Sequence, residues 1–122
     1  MQRPGFCVVE GAGGWRVPLN HREFFSDLAQ RLQLPVVLVV GIRLGCINHA
    51  VLTAEAIHRD GLPLAGWVAN HLAADTPSAQ DNVASLRELI RSPCLGEVSF
   101  DPDAGPEQVA SLLTLPAADP LS

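Results

Sequence analysis

Five consecutive apolar residues, Val36-Val37-Leu38-Val39-Val40, constrain the fold more than anything else in this chain. Four of the five are β-branched, which favours the pleated backbone. They do not alternate with polar residues, so the pattern is that of a strand covered on both faces, as in a parallel sheet sandwiched by helices. Three other short segments read as strands: Phe6–Glu10, Gly66–Asn70 and Glu97–Phe100. Between them run helical patterns. Arg22–Leu32 places Phe24, Phe25, Leu28, Ala29 and Leu32 on one face, and Asn48–His58 does the same with Ala50, Val51, Ala54 and Ile57. Ser78–Arg91 carries Val83, Leu86, Leu89 and Ile90, and Gly105–Leu115 is a weaker final helix. Alternation of strand and helix implies right-handed crossovers and an α/β fold with a parallel sheet and flanking helices. Four strands are few for such a fold, and Phe6–Glu10 is expected to leave an open edge with apolar surface beside it.

Composition narrows the function. With 122 residues, of which 48% are apolar, the chain is long enough for one core and one domain. Residues 1–115 are expected to form that domain, and 116–122, with two prolines, a flexible tail. The net charge of −5 without a basic cluster argues against nucleic acid, whose phosphates require a positive face. No apolar run approaches the roughly 20 residues of a membrane span, and residues 1–5 lack the apolar stretch of a signal peptide behind them. Cys7, Cys46 and Cys94 are odd in number and form no C-x-x-C pair, so they read as buried thiols in a reducing cytoplasm. The four histidines show no spacing suited to zinc.

Chemistry concentrates where strands are expected to end. Glu10 closes the first apolar segment and is followed by Gly11-Ala12-Gly13-Gly14-Trp15. A carboxylate at a strand end beside a glycine-rich turn suits magnesium bound to phosphates, because magnesium keeps its waters and needs only one or two protein carboxylates. The alternative is a solvated or helix-capping glutamate. Arg16 stands where a dinucleotide fingerprint would need glycine. Arg43–Asn48 leads from the second strand into a helix, whose free amides can receive a carboxylate or phosphate; alternatively Asn48 simply caps that helix. Cys46 is a weak nucleophile candidate, with no base placed near it. Asn70 ends the third strand, and its amide can both donate to and accept from a nucleobase edge, or else shape a turn. Asp101 and Asp103 read as a solvated loop, Trp15 and Trp67 as core or interface. The chain contains no G-x-x-x-x-G-K-[ST] phosphate loop and no lysine: all eight basic residues are arginine.

The runs Val9–Trp15, Pro18-Leu19, Leu34–Gly41, Leu44-Gly45-Cys46-Ile47-Asn48-His49-Ala50 and Leu64-Ala65-Gly66-Trp67-Val68-Ala69-Asn70 resemble the dethiobiotin synthetases, in the family's order and spacing. The resemblance covers the carboxyl-terminal part of the family only; it is strong from Phe6 to Asn70, looser through Leu95–Val98 and faint beyond. It implies a P-loop NTPase-like fold lacking its amino-terminal strands. It also implies a homodimeric, cytoplasmic ligase of biotin biosynthesis that forms the ureido ring of dethiobiotin from 7,8-diaminononanoate, CO2, ATP and Mg2+. By the same resemblance Glu10 is the magnesium ligand and, with Gly11, Ala12 and Gly13, faces the ATP phosphates. Asn70 and His71 lie at the adenine, as do Ser99, Phe100 and Asp101 after the last strand; Ser99 departs from the family's usual proline. Glu107 is a further nucleotide contact, and Gly45, Cys46, Ile47 and Asn48 receive the substrate carboxylate across the dimer. The family's catalytic lysines, its phosphate loop and an aspartate metal ligand lie upstream of the matching region, so no catalytic residue is assigned here. The expectation is a truncated, split or mis-started chain, inactive alone and completed by an amino-terminal half. The alternatives are a non-catalytic module docking on a full-length enzyme, and a relic without a stable fold.

Overall fold

The computed structural model describes residues 6–117. Helix α1 spans Phe25–Leu32, strand β1 Val36–Ile42, α2 Cys46–Arg59, β2 Leu64–His71, α3 Ala79–Leu89, β3 Cys94–Val98 and α4 Pro106–Ser111. The strands form a three-stranded parallel sheet in the order β1-β2-β3. Consecutive parallel neighbours joined by right-handed crossovers place both crossover helices on one face, and α2 and α3 indeed pack on each other as well as on β1.

Side chains alternate across a strand, so the register fixes which of them meet the helices. Leu38 pairs with Trp67, and Val40 with Ala69. Together with Ile42 they face the core, where Trp67, Ile42, Ile57 and Leu86 are fully buried and Ala50, Val83 and Ile90 nearly so. Each such large side chain contributes about 1.5–3 kcal/mol by leaving water. The Trp67 indole N–H has no partner among the described residues.

The opposite face corrects a sequence expectation. Val37 is 42% exposed and Val39 60%, so β1 is covered on one side only. Next to it in the sheet, Val68 of β2 is buried. The expected strand Phe6–Glu10 is also absent: the segment has no ladder partner, and Phe6, Val8 and Val9 are exposed. A strand without a neighbour leaves its backbone groups to water and gains nothing from extension. The sheet therefore has three strands rather than four.

Boundaries shift for local reasons. In α1, Asp27 accepts from the Phe24 N–H at 2.7 Å, which starts the helix three residues later than expected. Its stripe is only half covered, with Phe24, Leu28 and Leu32 each about 40% exposed. β3 starts and ends before the expected Glu97–Phe100, because β2 offers partners only from Trp67 to Asn70. After Val98 the chain enters a turn in which the Asp103 N–H donates to Asp101 Oδ1 at 3.0 Å. Helix α4 is shorter than expected, six residues from Pro106. Of the expected tail, Pro116 and Ala117 have no regular structure, and 118–122 lie outside the described residues.

Candidate functional site

The carboxyl ends of β2 and β3 form one site. Asn70 and His71 close β2, and the chain leaving β3 passes beside them as Ser99, Phe100 and Asp101. A hollow of ≈ 270 Å³ is lined by Asn70, His71, Leu72, Val98, Ser99, Phe100, Asp101 and Pro102. A larger open cleft of ≈ 780 Å³ adjoins it, sharing His71, Ser99 and Phe100 and extending along Ala73–Asp81 to the start of α3. Five of the ATP-binding residues expected from the family resemblance, Asn70, His71, Ser99, Phe100 and Asp101, thus line one hollow. Glu107, exposed in the first turn of α4, lines neither space.

Glu97 is the residue the sequence reading missed. It sits in β3 and lines the larger cleft. His71 Nε2 lies 3.0 Å from its Oε1, and the Arg87 guanidinium from α3 donates to its Oε2 at 3.5 Å. The hydrogen bond from His71 holds the Glu97 carboxyl below its ordinary range; burial opposes this, and Arg87 reinforces it. One signal was available, a lone carboxylate inside the otherwise uncharged run Leu95–Val98. The segment from Ala73 to Asp81, which walls the cleft, gave no comparable sign.

The start of α2 differs from one sequence alternative. Asn48 is not the cap. Gly45 holds that place at φ +91°, a conformation that penalises any side chain, and makes no side-chain capping bond. The backbone N–H groups of Cys46, Ile47 and Asn48 therefore occupy the first three helical positions, where no intrahelical acceptor exists; that of Cys46 donates back to the Arg43 carbonyl at 3.0 Å. Cys46 is 3% exposed, so its thiol is closed to solvent, whereas His49 is exposed. Of the other thiols Cys94 is half-buried, but Cys7 is exposed, contrary to the expectation of three buried cysteines.

The glycine-rich turn lies elsewhere. Glu10 and residues 11–14 are exposed and line neither cavity. A Cβ on Gly11 would run into the Phe25 ring, so glycine is what lets this turn lie against α1. The next residues are tied to Asp60, which closes α2. Trp15 Nε1 donates to Asp60 Oδ2 at 2.8 Å, and Arg16 makes two bonds to the same carboxylate at 2.8 and 3.1 Å. The hydrogen bond from Arg16 is the main cause holding the Asp60 carboxyl below its usual range, against burial and with help from Trp15. Asp60 precedes β2, so this anchor is at the end of the sheet opposite the hollow at the carboxyl ends of β2 and β3.

Among the described residues no three His, Cys, Asp or Glu side chains converge as a metal cluster. Glu10 alone fits a magnesium ion that arrives with nucleotide phosphates and completes its shell with water; it does not fit a resident, fully protein-bound metal. No helix among the described residues is long and apolar enough to cross a membrane.

Comparison with known proteins agrees with the fold and the motifs. The AAA domain family matches residues 2–108. The ATP-dependent dethiobiotin synthetase BioD of Cellvibrio japonicus is 64% identical over 98 residues, 80% of this chain and 43% of that protein. The same enzyme of Pseudomonas paraeruginosa is 61% identical over 113 residues, 93% of this chain and 50% of the relative. That of Chromohalobacter salexigens is 52% identical, covering 94% of this chain and 54% of the relative. The chain thus spans about half the length of the curated relatives it matches. It belongs to the AAA domain family, with an open parallel α/β sheet of the P-loop NTPase kind, and within that family it is similar to part of the dethiobiotin synthetases.

Proposed function

We propose that this chain supplies the adenine-side and substrate-carboxylate parts of a dethiobiotin synthetase active site. The reaction closes the ureido ring of dethiobiotin from 7,8-diaminononanoate and CO2 with MgATP. The observation that carries this reading is the meeting of Asn70, His71, Ser99, Phe100 and Asp101 around one hollow at the carboxyl ends of β2 and β3. In open α/β sheets that is where ligands bind. Asn70 offers a donor and an acceptor to the base edge, and Phe100, 48% exposed, offers an apolar wall. The amides of Ile47 and Asn48, beside that of Cys46, which already donates to the Arg43 carbonyl at 3.0 Å, would hold the substrate carboxylate, placing the diamine across a homodimer interface. Glu10 would complete the magnesium shell beside the phosphates. Magnesium, when bound there, neutralises charge on the transferring phosphoryl group.

What the chain does not hold is a lysine or a phosphate loop. Removing one electrostatic stabiliser costs roughly 10²–10³ in rate, so the loss of several leaves almost no catalysis. We therefore read the chain as a half-site in the cytoplasm, residues 1–115 forming one partial domain that works only with an amino-terminal half. The exposed face at Val37 and Val39 also favours the second reading, a non-catalytic module that docks on a full-length enzyme. Replacing Glu10 separates the two. In an enzyme reconstituted with an amino-terminal half, Glu10→Gln weakens the magnesium dependence of dethiobiotin formation if Glu10 belongs to the site. An unchanged magnesium titration would remove it.

A further inference from the structure

Glu97 is tied on both oxygens, one to a strand residue and one to a helix residue, in the cleft that adjoins the hollow just described. An ionised carboxylate only accepts hydrogen bonds. His71 must then donate its Nε2–H to Glu97 Oε1, and the ring form that carries this single proton has Nδ1 as an acceptor. Nδ1 has no protein partner among the described residues, and His71 lines both the hollow and the cleft. Arg87 from α3 holds the far oxygen of Glu97. The carboxylate is therefore fixed by the sheet and a crossover helix together.

We propose that Glu97 is a positioning residue for base selection, locking the His71 tautomer so that Nδ1 accepts from an exocyclic amine. Such an acceptor favours a 6-amino purine over a 6-keto purine, whose oxygen would face a lone pair. The inference rests on the reading of this hollow as a nucleotide site. It assigns a role to Glu97 and Arg87, neither of which touches the base.

The test uses the 122-residue chain labelled with 15N and titrated with AMP and with IMP, whose phosphates are identical. In the free chain the His71 nitrogen shifts are expected to show a protonated Nε2 and a bare Nδ1. AMP is expected to move the amides of Asn70, His71 and Ser99–Asp101 and to bind about fivefold more tightly than IMP, the worth of one neutral hydrogen bond. In Glu97→Gln the amide accepts from or donates to either ring form, so the AMP:IMP ratio falls to near one while AMP still binds. A merely structural Glu97 would weaken both nucleotides equally and leave the ratio unchanged, overturning the proposal. A protonated Nδ1, or the tautomer mixture of a free imidazole in the unsubstituted chain, would overturn it without any ligand. Binding of AMP without preference over IMP would sink the selection role and leave the nucleotide site standing. Amides unmoved by either nucleotide would sink the nucleotide reading, and the proposal with it.

Discussion

β1 and β2 are neighbours in one sheet with similar apolar sequences, yet they live in different surroundings. In β2 both faces are closed: Trp67 and Ala69 lie under the helices, and Val68 is buried on the other side. In β1 Val40 and Ile42 are buried, while Val37 and Val39 face water. A run of β-branched residues without alternation matches a strand with two covers, and β1 has one. The apolar residues of 6–9 and the half-exposed stripe of α1 belong to the same underused set. This difference separates the proposed adenine-side region, where the chain supplies its own walls, from the region that the proposed amino-terminal half would cover.

The two strands can be set against each other directly. Trp67→Ala is expected to destabilise the chain by about 3–5 kcal/mol, enough to unfold a small domain, as read by chemical denaturation. A small effect would mean that β2 is not the centre of the core. Next in size is the Asp60 anchor, which has a pH signature. Its carboxyl is depressed in the folded state, chiefly by the Arg16 hydrogen bond. The stability it gives is present above the ordinary carboxylate range, near pH 4, and is lost as pH falls through the folded value. Asp60→Ala should therefore be less stable than the parent at pH 7, with the gap closing as acid is added. A gap that widens in acid would reverse the sign. The smallest effect is expected at β1: Val39→Thr should stay within about 0.5 kcal/mol in this chain, because the site is already wet. In an enzyme reconstituted with an amino-terminal half, the same change should cost more, since the face is then covered. Equal costs in both would break the comparison between the strands.

Much of this was legible in the sequence, and the failures have physical causes. β1, β2, α2 and α3 follow from local apolar periodicity; of the hollow, Asn70 follows from its place at a strand end, whereas His71 and Ser99–Asp101 come from the family resemblance. Phe6–Glu10 carries the pattern of a strand, but pattern does not supply a ladder partner, and none is present among the described residues. Asn48 resembles a cap by residue type, but Gly45 in the left-handed region takes that role three residues earlier. Glu97 was overlooked because its importance is non-local: its partners are 26 and 10 residues away in the chain.

The central claim is that this chain holds one half of a catalytic site. The most direct test is dethiobiotin formation from 7,8-diaminononanoate, bicarbonate and MgATP by the purified 122 residues, with and without an amino-terminal half from the Cellvibrio japonicus relative. The account predicts no product from the chain alone and product when the two are combined; sustained turnover by the chain alone would contradict it.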